Sequence, residues 1–256
     1  RGNLPWSVTA VEEKPGVERP APPFTTSTLT QEASRKLGFS TERTMQAAQR
    51  LFQDGHISYH RTDSTTLSEK ALQESVAAIR EMFGHSYYNA PRRYATKVKN
   101  AQEAHEAIRP SNFGATPITA GLSGDDFKLY ELIWKRTLAC QMRDAEGTRV
   151  SVSILVEVAL FKASGKTISF PGFLRAYVEG SDDPEADLAE QERNLPPLKQ
   201  GDSVVAAAYD VLKHSTQPPA RYTEGSLIKE LEKLGIGRPS TWATIVRSEE
   251  HTSELQ

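Results

Sequence analysis

The 256-residue sequence has one cysteine, Cys140, and no apolar run of membrane-spanning length. A single thiol excludes an intrachain disulfide and a CxxC zinc site, and it favours a reducing, cytoplasmic setting. Without about 18 consecutive apolar residues no transmembrane helix is legible, so no membrane partner is expected. No targeting pattern opens the chain at Arg1. An excess of positive charge is lacking as well: 31 Lys and Arg against 33 Asp and Glu leave a net charge of −2. That total conceals a division. Residues 181–193 hold six acids and one Arg, a net of −5, so the remainder carries +3. An acidic solvated insert can coexist with a mildly basic working surface, although an excess this small does not by itself indicate nucleic acid.

What is present is a chain long enough for two or three domains, in which the apolar period changes along its length. Leu4 to Glu12, with Trp6, Val8 and Val11, predicts a strand ending at the Glu12–Gly16 turn, and Pro15, Pro20, Pro22 and Pro23 then form a stiff linker. Ser27 or Thr28 is expected to cap a helix through Leu29, Ala33 and Leu37 to Gly38. Ser40 opens a second helix with Met45, Ala48 and Phe52 (or Leu51), and Ser68 a third with Leu72, Val76, Ile79 and Phe83, closed by Gly84. Asp125 to Met142 is a fourth, with Phe127, Tyr130, Ile133, Trp134, Thr137 and Leu138 on its apolar face. From Val150 to Val158 every second residue is apolar, a half-buried strand. Residues 163–166 read as the turn into a second strand, Lys166 to Phe170; Pro171-Gly172 leads on to Phe173 through Val178, and Ser203 to Leu212 returns as another strand. Thr223 and Glu224 start a helix with Leu227, Ile228, Leu231 and Leu234, stopped by Gly235, and a last helix opens at Ser240. These stripes are core. The fold class they predict is multidomain α+β.

Four stretches carry chemistry. In Gly55–Ser64 the alternation of Ile57 and Tyr59 with polar neighbours predicts a short strand or extended turn, holding Tyr59 and Arg61 on one side. A tyrosine phenol, with a pKa of about 10 in model compounds, is a poor nucleophile at neutral pH. A guanidinium beside it favours the phenolate and can bind a phosphate oxygen in a planar fork. Taken alone, the pair is more simply an edge tyrosine with a solvated arginine. Pro91–Asn100 places Arg92, Arg93, Lys97 and Lys99 around Tyr94, which suits a phosphate track with a stacking ring or a plain basic loop. Residues 101–110 predict a short helix stopped by Pro110, with His105 and Arg109 on one face and Glu103 and Glu106 beside it. Gly235–Thr241 sets Arg238, Ser240 and Thr241 at a helix N-terminus, a phosphate cradle with free N–H groups or a plain capped turn.

The whole string Ile57–Thr65, ISYHRTDST, resembles the active-site segment of type IA DNA topoisomerases. PFTTSTLTQEASRKLGFS and AQRLFQDG before it, and NAQEAHEAIRP, LYELIWKR and PPARYTEGSLIKELEKLGIGRPST after it, match the same family in one order from about Trp6 to Val246. The resemblance implies a catalytic Tyr59 assisted by Arg61, and DNA contacts from His105, Arg109, Arg238, Ser240 and Thr241. It implies that Tyr59 attacks one strand of underwound DNA to give a 5′-phosphotyrosyl link, that the other strand passes, and that the 3′-OH reverses the step without ATP. The partner is then single-stranded or underwound DNA, the protein a monomer, and its location the bacterial cytoplasm at the nucleoid.

It also implies an organisation: residues 1–19, a strand and linker joining the β arch; 20–145, the helical domain with the tyrosine; 146–217, the antiparallel β arch; 218–246, a truncated helical single-strand-binding domain. Residues 247–256 do not continue the family's helix and are expected to be foreign to the fold. The departures are specific. His60 stands where the family usually has Met, a changed neighbour with retained chemistry. The acidic toprim domain that would bind Mg²⁺ is expected before Arg1, no DxDxE string occurs, and no metal site is expected within this chain. Two other classes compete. A tyrosine recombinase or type IB enzyme would place its tyrosine after an HxxR segment, whereas Tyr59 precedes an HxxxR. A non-catalytic single-strand-binding module remains an alternative for the chain in this form.

Overall fold

β-branched alternation builds a sheet and capped amphipathic stretches build a helical body, and the two are separate compact units. A computed structural model describes residues 6–94, 106–178, 180, 195–206, 208, 211, 213, 215, 216, 218 and 221–253, with side chains as far as Arg247. One unit comprises residues 1–18, 144–171 and 185–220; the other comprises residues 19–143, 172–184 and 221–256.

The sheet unit contains β1 (Trp6–Glu18), β2 (Ala145–Val156), β3 (Ala159–Phe170) and β4 (Ser203–Val204), antiparallel in the order β3-β2-β1-β4. β1 does not stop at Glu12 as expected. It continues through Lys14↔Arg149, Pro15↔Thr148 and Gly16↔Gly147. Among the described residues β4 pairs only Trp6 and Ser7, and a strand tolerates the missing N–H of proline along a side without a ladder. The hairpin turn lies at Glu157-Val158, not at 163–166, where Gly165 instead sits opposite Val150 inside the ladder. Val158, expected at the end of the strand, is 96 % exposed in that turn. The expected strand from Ser203 to Leu212 reduces, among the described residues, to Ser203–Val204. Val205 and Val211 are exposed, so their apolar periodicity is not buried among the described residues.

The helical unit contains α1 (Thr26–Leu37), α2 (Thr41–Gln53), α3 (Glu69–Phe83), α4 (Gly124–Gln141), α5 (Glu224–Leu234) and α6 (Trp242–Ser253). Residues 172–175 form a 3₁₀ turn in this unit, not the expected extension of the sheet, with Phe173 buried. Thr25, rather than Ser27 or Thr28, caps α1. Its Oγ1 accepts the Thr28 N–H while the Thr28 hydroxyl accepts the Thr25 N–H, a reciprocal pairing that leaves Ser27 inside the helix. Ser40 and Ser68 cap α2 and α3 as expected, and Gly38 ends α1 in the left-handed conformation. In α2 it is Leu51 that is buried, with Phe52 39 % exposed at the surface. Leu29, Leu51, Ile79, Leu129, Ile133 and Leu138 fill the core, each stabilising by about 1.5–3 kcal/mol.

α5 lies against α1 so closely that a Cβ on Gly225 would meet the Gln31 Cα at 3.1 Å. Thr223 caps α5 and Gly235 ends it, as read from the sequence. Ile228, Trp242 and Val246 make a small second core. α6 runs from Trp242 to Ser253.

Candidate active site

The site begins where α2 ends. Gly55, at φ +76°, turns the chain out of the helix. The His56 N–H reaches back to the Leu51 carbonyl at 2.8 Å and the Gly55 N–H to Phe52 at 3.1 Å. From there burial alternates. Ile57, His60, Thr62 and Ser64 point inward, while Tyr59 and Arg61 are exposed on either side of His60. The expected strand is only a single bridge, Ile57↔Pro110, followed by bends.

Two remote segments hold this piece of chain in place. On one side the first turn of α1 docks. The Thr26 N–H donates to the Thr62 carbonyl at 2.9 Å; the Thr26 hydroxyl lies 3.0 Å from the His60 carbonyl and 3.1 Å from that of Thr62, and accepts the Thr62 N–H at 2.9 Å. On the other side lies 106–110. The Ser58 N–H donates to the Arg109 carbonyl at 2.8 Å, the Arg109 N–H donates to the Ser58 hydroxyl at 2.9 Å, and that hydroxyl donates to the Ala107 carbonyl at 2.7 Å. The backbone on both sides of Tyr59 is therefore pinned while its ring stays accessible. Thr26 and Ser58 were not singled out in the sequence, where an ordinary Ser or Thr carries no signal of partners about 36 and 51 residues away. Thr26 is 1 % exposed, so Thr26→Val leaves the Thr62 N–H unpaired, an expected loss of about 1–3 kcal/mol in urea unfolding. An unchanged midpoint would mean the anchor is dispensable.

Residues 106–110 are extended, not the expected helix, because Ile108 bridges Phe24 and Pro110 bridges Ile57. His105 lies outside the described residues. Arg109 is brought beside the Tyr59 segment by its backbone, but its guanidinium faces inward, donating to Glu106 at 2.6 and 2.9 Å and to the Pro110 carbonyl at 2.9 Å. Burial pushes the Glu106 carboxyl up; hydrogen bonds from Ser68 and Arg109 outweigh it and hold the group below the usual carboxylate range.

Of the basic run, Arg92, Arg93 and Tyr94 are described. Tyr94 is no free stacking ring: its hydroxyl lies 3.0 Å from the carbonyls of Pro20 and Cys140. Other tyrosines are likewise committed. Tyr177 donates to Glu32, and Tyr130 donates to the Ala115 carbonyl with its phenol pushed up to about 12 by burial. Tyr59 is 38 % exposed, and its ring edge packs on Phe52 at 5.6 Å between centroids.

The turn at 236–241 is shaped by Gly237, at φ +74°, where a Cβ would lie 2.9 Å from the Trp242 ring. The last helix starts at Trp242, not Ser240. The Thr241 hydroxyl accepts the Arg238 N–H at 2.9 Å, and the N–H groups of Thr241 and Trp242 both donate to the Arg238 carbonyl. The expected cradle of free N–H groups is thus largely consumed by the turn itself. The Arg238 and Ser240 side chains remain exposed. α1 links both regions, because Ser27, next to the Thr26 anchor, donates to Glu232 of α5 at 2.7 Å. Among the described residues no group of three or more His, Cys, Asp or Glu side chains is placed to hold a metal ion.

The structure thus presents a pinned, solvent-facing tyrosine with an exposed arginine two residues on, and comparison places the chain in a family. A profile described as DNA topoisomerase matches residues 3–249. DNA topoisomerase 1 of Synechocystis is 56 % identical over 244 residues, covering 94 % of this chain and 27 % of its own length. That of Streptomyces coelicolor is 55 % identical over 251 residues, covering 95 % and 26 %. The structure of full-length topoisomerase I from Thermotoga maritima superposes with a TM-score of 0.80 at 37 % identity, over 95 % of this chain and 40 % of that one. The chain belongs to the bacterial DNA topoisomerase family. It spans about a quarter of the length of the curated relatives it matches.

Proposed function

We propose that this chain is the nucleophile-bearing part of a type IA DNA topoisomerase, with Tyr59 as the nucleophile and Arg61 beside it on the phosphate. The observation that carries this reading is the alternation around His60: Tyr59 and Arg61 face solvent from a backbone fixed on both flanks. The Tyr59 oxygen attacks phosphorus in one strand, the P–O3′ bond breaks, the phenol proton leaves and the 3′-oxygen gains one. The 5′-phosphotyrosyl link retains the energy of the phosphodiester, so religation by the 3′-OH needs no ATP. Arg61 offsets charge developing on the non-bridging oxygens. Mg²⁺ is assigned to an acidic domain outside this chain, and none of the steps above is routed through it. The test uses these residues within a full-length protein and oligonucleotides labelled on either side of the break. The label retained on the denatured protein is expected on the 5′-phosphate side; retention through a 3′-phosphate would overturn the assignment.

Single-stranded DNA is the substrate in this reading, with Arg238 and Ser240 on its phosphate path and Thr241 setting their turn. Arg238→Ala is expected to weaken binding to unrelated single strands alike and to flatten the dependence of log K on log salt by up to about 1. Titration of labelled oligonucleotides at several salt concentrations measures this. An unchanged slope would reduce the turn to a helix cap. The Arg109 guanidinium is held by Glu106, while its backbone N–H, donating to the Ser58 hydroxyl, fixes the segment that carries Tyr59.

A further inference from the structure

We propose that His60 is a positioning residue for Tyr59: a neutral imidazole wedge that sets the direction of the phenol ring and withdraws when protonated. This rests on the reading of Tyr59 as the nucleophile. His60 is 6 % exposed and closes a triangle of rings. Its centroid lies 5.5 Å from Tyr59 at 64° and 5.3 Å from Phe52 at 41°, while Phe52 meets Tyr59 at 5.6 Å and 76°. Tyr59 thus leans on two rings, one from the end of α2 and one from its own neighbour. The neighbour cannot drift, because the His60 carbonyl accepts from the Thr26 hydroxyl.

Neither ring nitrogen of His60 has a hydrogen-bond partner among the described residues, although both are buried. Unsatisfied buried nitrogens are costly, and an apolar side chain of similar size would fill the same space without them. The feature a histidine adds is titration in the physiological range. The groups facing it make the charged form unwelcome. α2 presents Phe52, α1 presents Thr26, its own segment presents the phenol of Tyr59, and the charge that acts on it is the Arg61 cation. Burial first and Arg61 second push the imidazole below its ordinary value of 6.5. Because the folded value lies below the unfolded one, the wedge is fully in place above about pH 6.5 and is lost as pH falls through the lower, folded value. An imidazolium there gains by rotating toward water, which removes one of the two rings behind Tyr59.

The experiment follows the Tyr59 ring directly in the chain as it stands, with tyrosine rings labelled for NMR and the Tyr59 signals identified by their loss in Tyr59→Phe. From about pH 8 to about pH 5 the Tyr59 signals are expected to shift with one midpoint below 6.5 that matches the His60 imidazole. The buried Tyr177 stays still and reports that the fold is intact. In His60→Gln the Tyr59 response disappears. His60→Phe keeps an aromatic wedge that cannot titrate, so Tyr59 holds its high-pH position throughout. Flat Tyr59 signals in the unmodified chain, or a response that survives in either variant, would overturn the proposal. Failure of the nucleophile reading has a different signature: the NMR response persists while no covalent DNA adduct forms at any pH in a full-length protein.

Discussion

Tyr59→Phe, made within a full-length protein that carries these residues, is expected to abolish the covalent DNA adduct while leaving single-strand binding within about twofold. The substitution removes one oxygen and keeps the ring. The contacts with Phe52 and His60 persist, and the backbone anchors at Thr26 and Ser58 do not involve the side chain. Stability therefore changes by no more than about 1 kcal/mol, the scale of one hydrogen bond. Loss of a nucleophile is of another order: in well-characterised enzymes it costs on the order of 10⁶ in turnover. Tyr94, Tyr130 and Tyr177 offer no substitute, since their hydroxyls are bonded to internal acceptors. The measurement is an adduct on a labelled oligonucleotide resolved by denaturing gel. An adduct of undiminished yield in the Phe variant would remove Tyr59 from the nucleophile role.

The second large effect concerns the chain alone, which is expected to bind single strands weakly and to relax no supercoiled plasmid, with or without Mg²⁺. A phenol is a weak nucleophile until a neighbour takes its proton, and the departing 3′-oxygen needs a proton or a compensating charge. Among the groups described at the site, the Glu106 carboxylate already accepts from Ser68 and Arg109, and both His60 nitrogens are buried. Each missing charge-stabilising group costs about 10²–10³ in rate. The chain spans about 27 % of the relatives it matches, and we assign the missing groups to the remainder. Incubation with negatively supercoiled plasmid, alone and with the missing segments supplied from a relative, tests this. Relaxation by the chain alone would show that the phosphoryl chemistry is complete within these residues.

The helices were legible because their signals are local. Ser40, Ser68 and Thr223 cap, Gly38 and Gly235 terminate, and Leu29, Leu72 and Ile133 fall on the expected faces, all within a turn or two of each other along the chain. Several misreadings come from partners far away in sequence. Pro15 reads as a breaker, yet β1 continues through it opposite Thr148 of β2. Gly165 reads as a turn, yet it sits opposite Val150 in a ladder. Residues 106–110 carry helix formers, yet Phe24 and Ile57 draw them into extended bridges. Local propensity yields wherever a remote backbone supplies the hydrogen bonds.

The sequence by itself determined the chemistry on offer and the family: a tyrosine and an arginine two apart, in a string that resembles one class of DNA enzyme, within a chain whose single cysteine excludes an intrachain disulfide. It could not show which polar groups remain outward. Only the tertiary structure decided that Tyr59 and Arg61 face solvent while His60 is enclosed. It also decided that Arg109 spends its guanidinium on Glu106 and that the 238–242 turn consumes its own N–H groups. The reason is physical. Residue type sets what a group can do, but burial and satisfaction of hydrogen bonds set whether it is free to do it, and both come from residues such as Thr26 and Ser58 acting across many intervening positions.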